Sequence, residues 1–293
     1  MAWGMEIEAG RIRICRAEAR GGRIHVRARR EVALPPGAIQ PSLKEANLKD
    51  VSAVRSGLQA ACRELRCRGW VGVALPDAAF SLRRLATDAV PSAPADARRF
   101  LAWQARELLP FPAEEARLDF LPPQPAPDGR LQVVCLLARE RVIREYETLL
   151  EEAGLAVAVL DARSTSLARA GATASTGPAA LLSIQAERST LLLLEGGQPR
   201  FWRMLAYGQA DWGSARRLKA IRELTDSLAY CEEREGIGRP DSLTVEGGGE
   251  HGEELLGALE NWLGLPVCSM RLPLDAADLD GWEAAIGAAI RPW

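Results

Sequence analysis

Two strand–turn–strand segments, one at the head of the chain and one near its middle, constrain the fold more than any other feature. Met5-Glu6-Ile7-Glu8-Ala9-Gly10-Arg11-Ile12-Arg13-Ile14 alternates apolar and polar side chains around a tight turn. Leu181-Leu182-Ser183-Ile184-Gln185-Ala186-Glu187-Arg188-Ser189-Thr190, running on into Leu191 to Leu194, reads the same way. Period-two alternation across a short turn is the pattern of a half-buried hairpin. Each hairpin is followed by a helix and a further buried strand, so the order strand–strand–helix–strand occurs twice. No short-period repeat relates the halves, and the expectation is an α/β protein of two related lobes.

The rest of the chain fills in that frame. Strands are expected at 5–15 and 23–34, turning at Gly21-Gly22, with Pro35-Pro36-Gly37 closing the unit. A helix fits Val51 to Arg66, with Val54, Leu58, Ala61, Cys62 and Leu65 on one face, and Trp70 to Leu75 is a buried strand stopped by Pro76-Asp77. A strand at Phe80 to Leu85 precedes a helix from Ala95 to Leu109, whose apolar side is Phe100, Trp103, Leu108 and Ala102. Leu109-Pro110-Phe111-Pro112 ends it, since proline cannot continue a helix. Strands at 116–121 and 131–138 flank a proline-rich loop, Pro122 to Gly129. An amphipathic helix at 140–153, capped by Gly154, leads to a strand at 157–161. Thr173 to Gly177, small and polar, is the best linker. Beyond the second hairpin come a turn at Gly196-Gly197, a strand at 201–205 and a long helix at 214–234. Leu243-Thr244-Val245 then enters Glu246-Gly247-Gly248-Gly249, followed by a helix at 252–263, a strand at 266–270 and a final helix at 281–290.

Composition excludes several function classes. A net charge of −2 and a pI near 5.9 leave no overall basic field for nucleic acid. The basic run Arg20 to Arg30 alternates with Ile24, Val26 and Ala28 and reads as the solvated face of a strand rather than a phosphate patch. No apolar stretch approaches the ~20 residues of a membrane helix, and no signal peptide is visible at the N-terminus. The six cysteines read as reduced, buried thiols of a cytoplasmic protein; Cys62 and Cys67, five apart on a helix, have poor geometry for a disulfide and no zinc spacing. With only His25 and His251, neither a histidine metal centre nor a hydrolytic triad has much to work with.

The order of motifs resembles the PilM family, the cytoplasmic actin-like proteins of type IV pilus assembly. Phe100-Leu101-Ala102-Trp103-Gln104-Ala105-Arg106-Glu107-Leu108-Leu109-Pro110-Phe111-Pro112, then Leu118-Asp119-Phe120, is similar to its W-E-A-E-Q-Y-I-P-F … L-D-F signature. Glu145 to Asp161 resembles Y-x-x-L-L-x-x-A-G-L … D, and Gly197, Pro199, Phe201 and Arg203 match D-G-x-P-x-F-x-R. Glu246 to Gly249 and Ala284 to Arg291 resemble the closing G-G-G and A-I-G-L-A-L-R. The similarity spans nearly the whole chain in order. It implies a bilobal, duplicated ribonuclease H-like fold: residues 1–75 with 135–172 as the first lobe's core, 76–134 as an inserted small subdomain, and 173–293 as the second lobe's core. The family's further subdomain of the second lobe is largely absent, because only about five residues separate Tyr207-Gly208 from the helix near Ser214.

Against that resemblance, the phosphate hairpins depart from pattern. In actin-like ATPases they read apolar-Asp-Ile-Gly, the glycine letting phosphate oxygens reach backbone N–H groups and the aspartate holding magnesium. Here Glu6 and Ser183 stand at the aspartate positions, and Glu8 and Gln185 at the glycine positions. A carboxylate beside a polyphosphate with no cation between them is repelled by ~4 kcal/mol at an effective dielectric of ~20. Without an opposing subdomain, Gly247, Gly248 and Gly249 read as a tight strand-to-helix turn more readily than as an adenosine site. No catalytic residue and no metal site is expected, and ATP with magnesium is a disfavoured cofactor.

The resemblance implies a scaffold that binds the N-terminal peptide of PilN, a bitopic membrane protein, in a groove between the two subdomains of the first lobe. That task needs no phosphate site. Trp103, Leu108, Leu109, Pro110 and Phe111 are candidate anchors, with packing of the small subdomain as the alternative. A pilus or secretion ATPase is a further candidate partner, nucleic acid is not, and the location is peripheral at the inner membrane through the partner. Alternatives are a nucleotide-binding actin-like ATPase, which needs Glu6 to hold metal with Glu8 and Gln185 turned away, and a GspL-like type II secretion component, which should continue into a membrane helix.

Overall fold

The computed structural model describes residues 2–126, 128–171, 177–249, 252–274 and 279–290. The expected linker therefore falls outside the described residues except for Gly177, as does His251. Two compact units emerge: residues 1–166 with 273–293, and residues 167–272.

The first unit opens with β1 (Ala2–Glu8), β2 (Arg11–Arg20) and β3 (Arg23–Ala33), then α1 (Val51–Leu65) and β4 (Gly69–Leu75). An inserted segment carries β5 (Phe80–Thr87), α2 (Pro94–Gln104), β6 (Ala116–Phe120), β7 (Gln124–Pro125) and β8 (Leu131–Arg139). The chain returns through α3 (Glu140–Glu152) and β9 (Leu155–Ala162) into α4 (Arg163–Ala170), whose first four residues belong to this unit and the rest to the second. The main sheet has the order β3-β2-β1-β4-β9; its first three strands are antiparallel neighbours, and β4 and β9 run parallel to β1. Alternation places Met5, Ile7, Ile12 and Ile14 in its core, each worth about 1.5–3 kcal/mol on burial.

The second unit repeats this topology. It holds β10 (Ala179–Ile184), β11 (Ser189–Glu195), β12 (Gln198–Leu205), α5 (Gln209–Trp212), α6 (Arg217–Arg234), β13 (Leu243–Glu246), α7 (Gly252–Leu263) and β14 (Val267–Ser269). Its sheet order, β12-β11-β10-β13-β14, matches the first strand for strand, with β10 in the place of β1. Leu182, Leu191, Leu224, Leu255 and Leu259 form its core. The duplicated 3-2-1-4-5 mixed sheet is the actin-like fold. Between β12 and α6 the chain makes the single-turn α5, whose buried Trp212 donates from Nε1 to Ser189 Oγ at 2.7 Å.

Two boundaries and one helix differ from the sequence reading. The last helix, α8 (Glu283–Ile290), belongs to the first unit rather than to a second-lobe core of 173–293, and packs on β1, β2 and β4. Its Ala284, Ala285, Ile286, Gly287, Ala288 and Ala289 are all buried, so a helix apolar on nearly every side finds a sheet face rather than solvent. The boundary at 134/135 cuts through β8, which pairs with β5 and β6 in the inserted sheet along its whole length. The third is α4, unanticipated because Arg163-Ser164-Thr165-Ser166 is a poor helix opening on propensity alone.

The side of α2 that faces the inserted sheet is also corrected. Ala97, Leu101, Ala102 and Ala105 are buried there, at helical spacing, while Trp103 is 56 % exposed and Phe100 half-buried. Small residues let the helix lie close to the sheet, and the bulky Trp103 is left outside.

Five cysteines are buried, but Cys268 on β14 is exposed. The left-handed Arg66 (φ 53°) reverses the chain after α1, so Cys67 N–H bonds to Cys62 O at 2.9 Å, and both cysteines remain free thiols. Burial pushes the Cys15 thiol up, and that of Cys135 up to about 12. A maleimide at pH 8 is therefore expected to label Cys268 within minutes and the other five only after unfolding. Fast labelling that survives Cys268→Ser would contradict this burial.

Candidate functional site

In an open α/β sheet, ligands gather beyond the carboxyl ends of the parallel strands. In the first unit that position holds a closed network of side chains. Glu6, 1 % exposed near the end of β1, accepts from Arg163 Nε at 2.7 Å and from Arg13 Nη1 at 3.4 Å. Glu8, two residues on and so on the same face of the strand, lies 3.3 Å from the same Arg163 Nε and accepts from Arg11 Nε at 2.6 Å. Arg163, 2 % exposed, is the first residue of α4, which delivers its guanidinium to both carboxylates. Arg13 also bonds Glu31 at 2.6 Å and Gly281 O. Burial opposes its charge, but Glu6, Glu31 and Glu8 outweigh burial and raise its pKa.

The neighbouring strand ends are equally occupied. Asp77, just past β4, accepts from Ser164 N at 2.9 Å and from Ser164 Oγ. Asp161 at the end of β9 accepts from Ala162 N at 2.9 Å and from Thr165 Oγ1. Cations and hydroxyls of the protein itself thus surround every carboxylate at this edge. Among the described residues, no group of three or more His, Cys, Asp or Glu is arranged to hold a metal.

The second unit's equivalent has no arginine laid against its first strand among the described contacts. Ser183 Oγ donates to Glu246 Oε2 at 3.0 Å, both residues buried. Gln185 sits in the turn, its N–H bonded to Arg188 O at 2.8 Å and its carbonyl accepting from Gln209 N at 2.9 Å. The triple-glycine loop lies against this turn. A Cβ on Gly247 (φ 92°) would meet Ile184 O at 2.1 Å, and one on Gly249 (φ 59°) would meet Gln209 Nε2 at 2.0 Å. Backbone crowding accounts for Gly247 and the left-handed φ for Gly249.

A third feature lies between the inserted subdomain and the core of the first unit. A cavity of about 720 Å³ is floored by Leu48, Val51, Thr148 and Leu149 of the α1–α3 region and walled by Glu114 and Glu115. Glu145 Oε2 shapes the floor by accepting from Asn47 N (2.8 Å) and Leu48 N (3.0 Å), which ties the chain before α1 to α3. Across the wall, Arg117 of β6 clamps the insert to α3 through Glu140 (2.8 Å) and Glu147 (2.5 Å). Burial works against the Glu140 charge, but Arg117 and Arg144 overcome it and hold that carboxyl below its ordinary value.

The anchor candidates do not line this cavity. Leu108 is 48 % exposed, Pro110 exposed and Leu109 half-buried, while Phe111 is buried with the Arg139 guanidinium 5.7 Å from its ring centroid. Trp103 carries the Arg106 guanidinium 4.1 Å above its ring. Packing explains Phe111; it does not explain Trp103 or Leu108. Sequence reading missed Arg163 and Arg13, because nothing in the order of residues announces that 13 and 163 converge on Glu6. Their only signal was a pair of arginines beside strands that end in carboxylates.

No curated protein matches the sequence. The family description "Type IV pilus assembly protein PilM" matches residues 4–212. Among solved structures, the PilM–PilN type IV pilus biogenesis complex is similar at TM-score 0.81 and 21 % identity, over 98 % of this chain and 97 % of that one. The ethanolamine utilization protein EutJ from Carboxydothermus hydrogenoformans follows at TM-score 0.52 and 11 % identity, over 98 % and 89 %. The cytoplasmic domain of EpsL, from the type II secretion system of Vibrio cholerae, has a TM-score of 0.49 and 15 % identity over 82 % and 79 %, a likeness too slight to bear on function. With a match over most of its length, the chain belongs to the PilM family of type IV pilus assembly proteins.

Proposed function

We propose that this chain is a scaffold of a type IV pilus assembly complex at the inner membrane, that it binds the N-terminal peptide of a PilN-like membrane protein, and that it hydrolyses no ATP. The observation that carries the first part is the 720 Å³ cavity between the inserted subdomain and the α1–α3 core. It has an apolar floor and charged walls, the form that accepts an extended peptide through backbone hydrogen bonds and a few apolar anchors. Trp103, Leu108, Leu109 and Pro110 sit outside it, so in this reading they serve a separate contact and Phe111 is structural. The solved complex that resembles this chain pairs a PilM with a PilN, which agrees with such a partner.

The second part rests on Arg163. Its guanidinium lies against Glu6 and Glu8, where magnesium and phosphate would lie in an ATPase of this fold. No described helix is long and apolar enough to cross a membrane, so membrane attachment in this reading comes through the partner.

Fluorescence polarisation with a labelled peptide of the first ~20 residues of a PilN-like protein tests the groove. Micromolar binding is expected, weakened at least tenfold by Val51→Glu or Thr148→Arg, both at exposed floor positions. No binding at high micromolar peptide, or unchanged binding by both variants, would remove this reading. Mg-ATP at ~100 times a true dissociation constant would stabilise by about 2.7 kcal/mol; the expectation is no thermal shift.

A further inference from the structure

The sheet of the first unit has two unlike ends. Its carboxyl end holds the buried acidic network. At the other end, register brings together the amino ends of β1 and β4, the tip of the β2–β3 hairpin and the C-terminus of α1. Trp3 pairs with Val71, Arg20 with Arg23, and Gly69 with Leu155. Arg16, Arg20, Arg23, Arg27, Arg66 and Arg68 are all exposed there. Beside them Trp70 is 66 % exposed, more than any other large apolar side chain described. Of the acidic residues near this end, Glu64 and Glu152 are held by Arg30 (3.0 Å) and Arg55 (2.7 Å), and Glu18 on β2 and Glu151 on α3 are outnumbered by the six arginines. The patch therefore keeps its positive sign although the whole chain is at −2.

We infer that this end of the sheet is a docking surface for an anionic phospholipid bilayer. Arginine attracts lipid phosphates, and an exposed tryptophan favours the headgroup layer, where its ring is half in hydrocarbon and its N–H is hydrated. Single-stranded nucleic acid, the other polyanion, is held in a basic groove lined with several stacking aromatics. Here one tryptophan projects from an end that lines no described cavity. Residues 20–30, taken from the sequence as a merely solvated strand face, thus acquire a partner. The contact is independent of any protein partner, because it needs only lipid.

Flotation of the whole protein with vesicles tests it. At 50 mM NaCl, vesicles of 30 % phosphatidylglycerol in phosphatidylcholine are expected to bind, pure phosphatidylcholine vesicles not, and 500 mM NaCl to release the protein. Each arginine near the surface is worth about fivefold in binding. Arg20→Glu/Arg23→Glu/Arg27→Glu is therefore expected to weaken binding at least about a hundredfold, Trp70→Ser several-fold, and Arg99→Glu, exposed on α2 of the insert that leaves from the opposite end of the sheet, not at all. Circular dichroism melts confirm that each variant is folded. Absence of wild-type binding at 50 mM salt, equal binding to both lipid mixtures, or wild-type binding by the triple variant would overturn the inference. So would displacement of the vesicles by an equal phosphate concentration of oligonucleotide.

Discussion

Arg163→Ala is expected to destabilise the first unit by about 3–5 kcal/mol, the cost of removing one partner of a buried ion pair. Glu6 is 1 % exposed and Arg163 2 %. The substitution takes away the 2.7 Å bond to Glu6 and the 3.3 Å contact to Glu8 together. At about 2–4 °C per kcal/mol for a unit of this size, the melting temperature should fall by roughly 10 °C. Arg163→Met with Glu6→Met should restore most of it, since apolar replacement of a whole buried pair is often neutral. A fall below about 2 °C in the single variant, or no recovery in the double, would mean that the guanidinium does not hold this end of the sheet together. Recovery also speaks to function. If the pair is architecture that replaced a metal–phosphate site, the double variant should stay unresponsive to Mg-ATP.

Gly4→Ala should be nearly as damaging, although it adds one methyl group. The new Cβ would stand 2.1 Å from Ala285 O and 2.7 Å from Ala289 Cβ, so α8 must shift as a body. Backbone atoms cannot rotate aside as a side-chain tip can. Overpacking of this kind costs about 1–3 kcal/mol or more, and the upper end is expected here. Gly10→Ala provides the control, since nothing lies within 4 Å of its Cβ position. Hydrogen exchange should show α8 and β1 losing protection together in Gly4→Ala and unchanged in Gly10→Ala. Equal effects from the two substitutions would show that α8 is not seated on β1 as described.

The hairpins, the double α/β order and the helices at 51–65, 140–152 and 252–263 were legible because each rests on local periodicity over enough residues to average out single exceptions. The inserted helix was found and Phe100 and Ala102 do pack on the inserted core, but Trp103 and Leu108 do not. Three alanines and a leucine supplied the contact side, and hydrophobicity counts favour phenylalanine and tryptophan over alanine. Identifying Glu6, Glu8, Ser183 and Gln185 as departures needed only their positions in the hairpins. What neutralises Glu6 could not be read off, because its partners lie 7 and 157 residues away.

By itself, then, the sequence determined the two sheets, the residues that stand in both hairpin turns, and the short span between Gly208 and the long helix of the second unit. These are properties of neighbours along the chain. Only the tertiary structure decided that α8 closes the first unit, that Arg163 fills the space beside Glu6 and Glu8, that the cavity opens at Leu48–Val51 rather than at Trp103, and that arginines from three segments share one end of a sheet. Each of those depends on burial and charge pairing between residues far apart in the chain. Such energies exist only once the strands are in register.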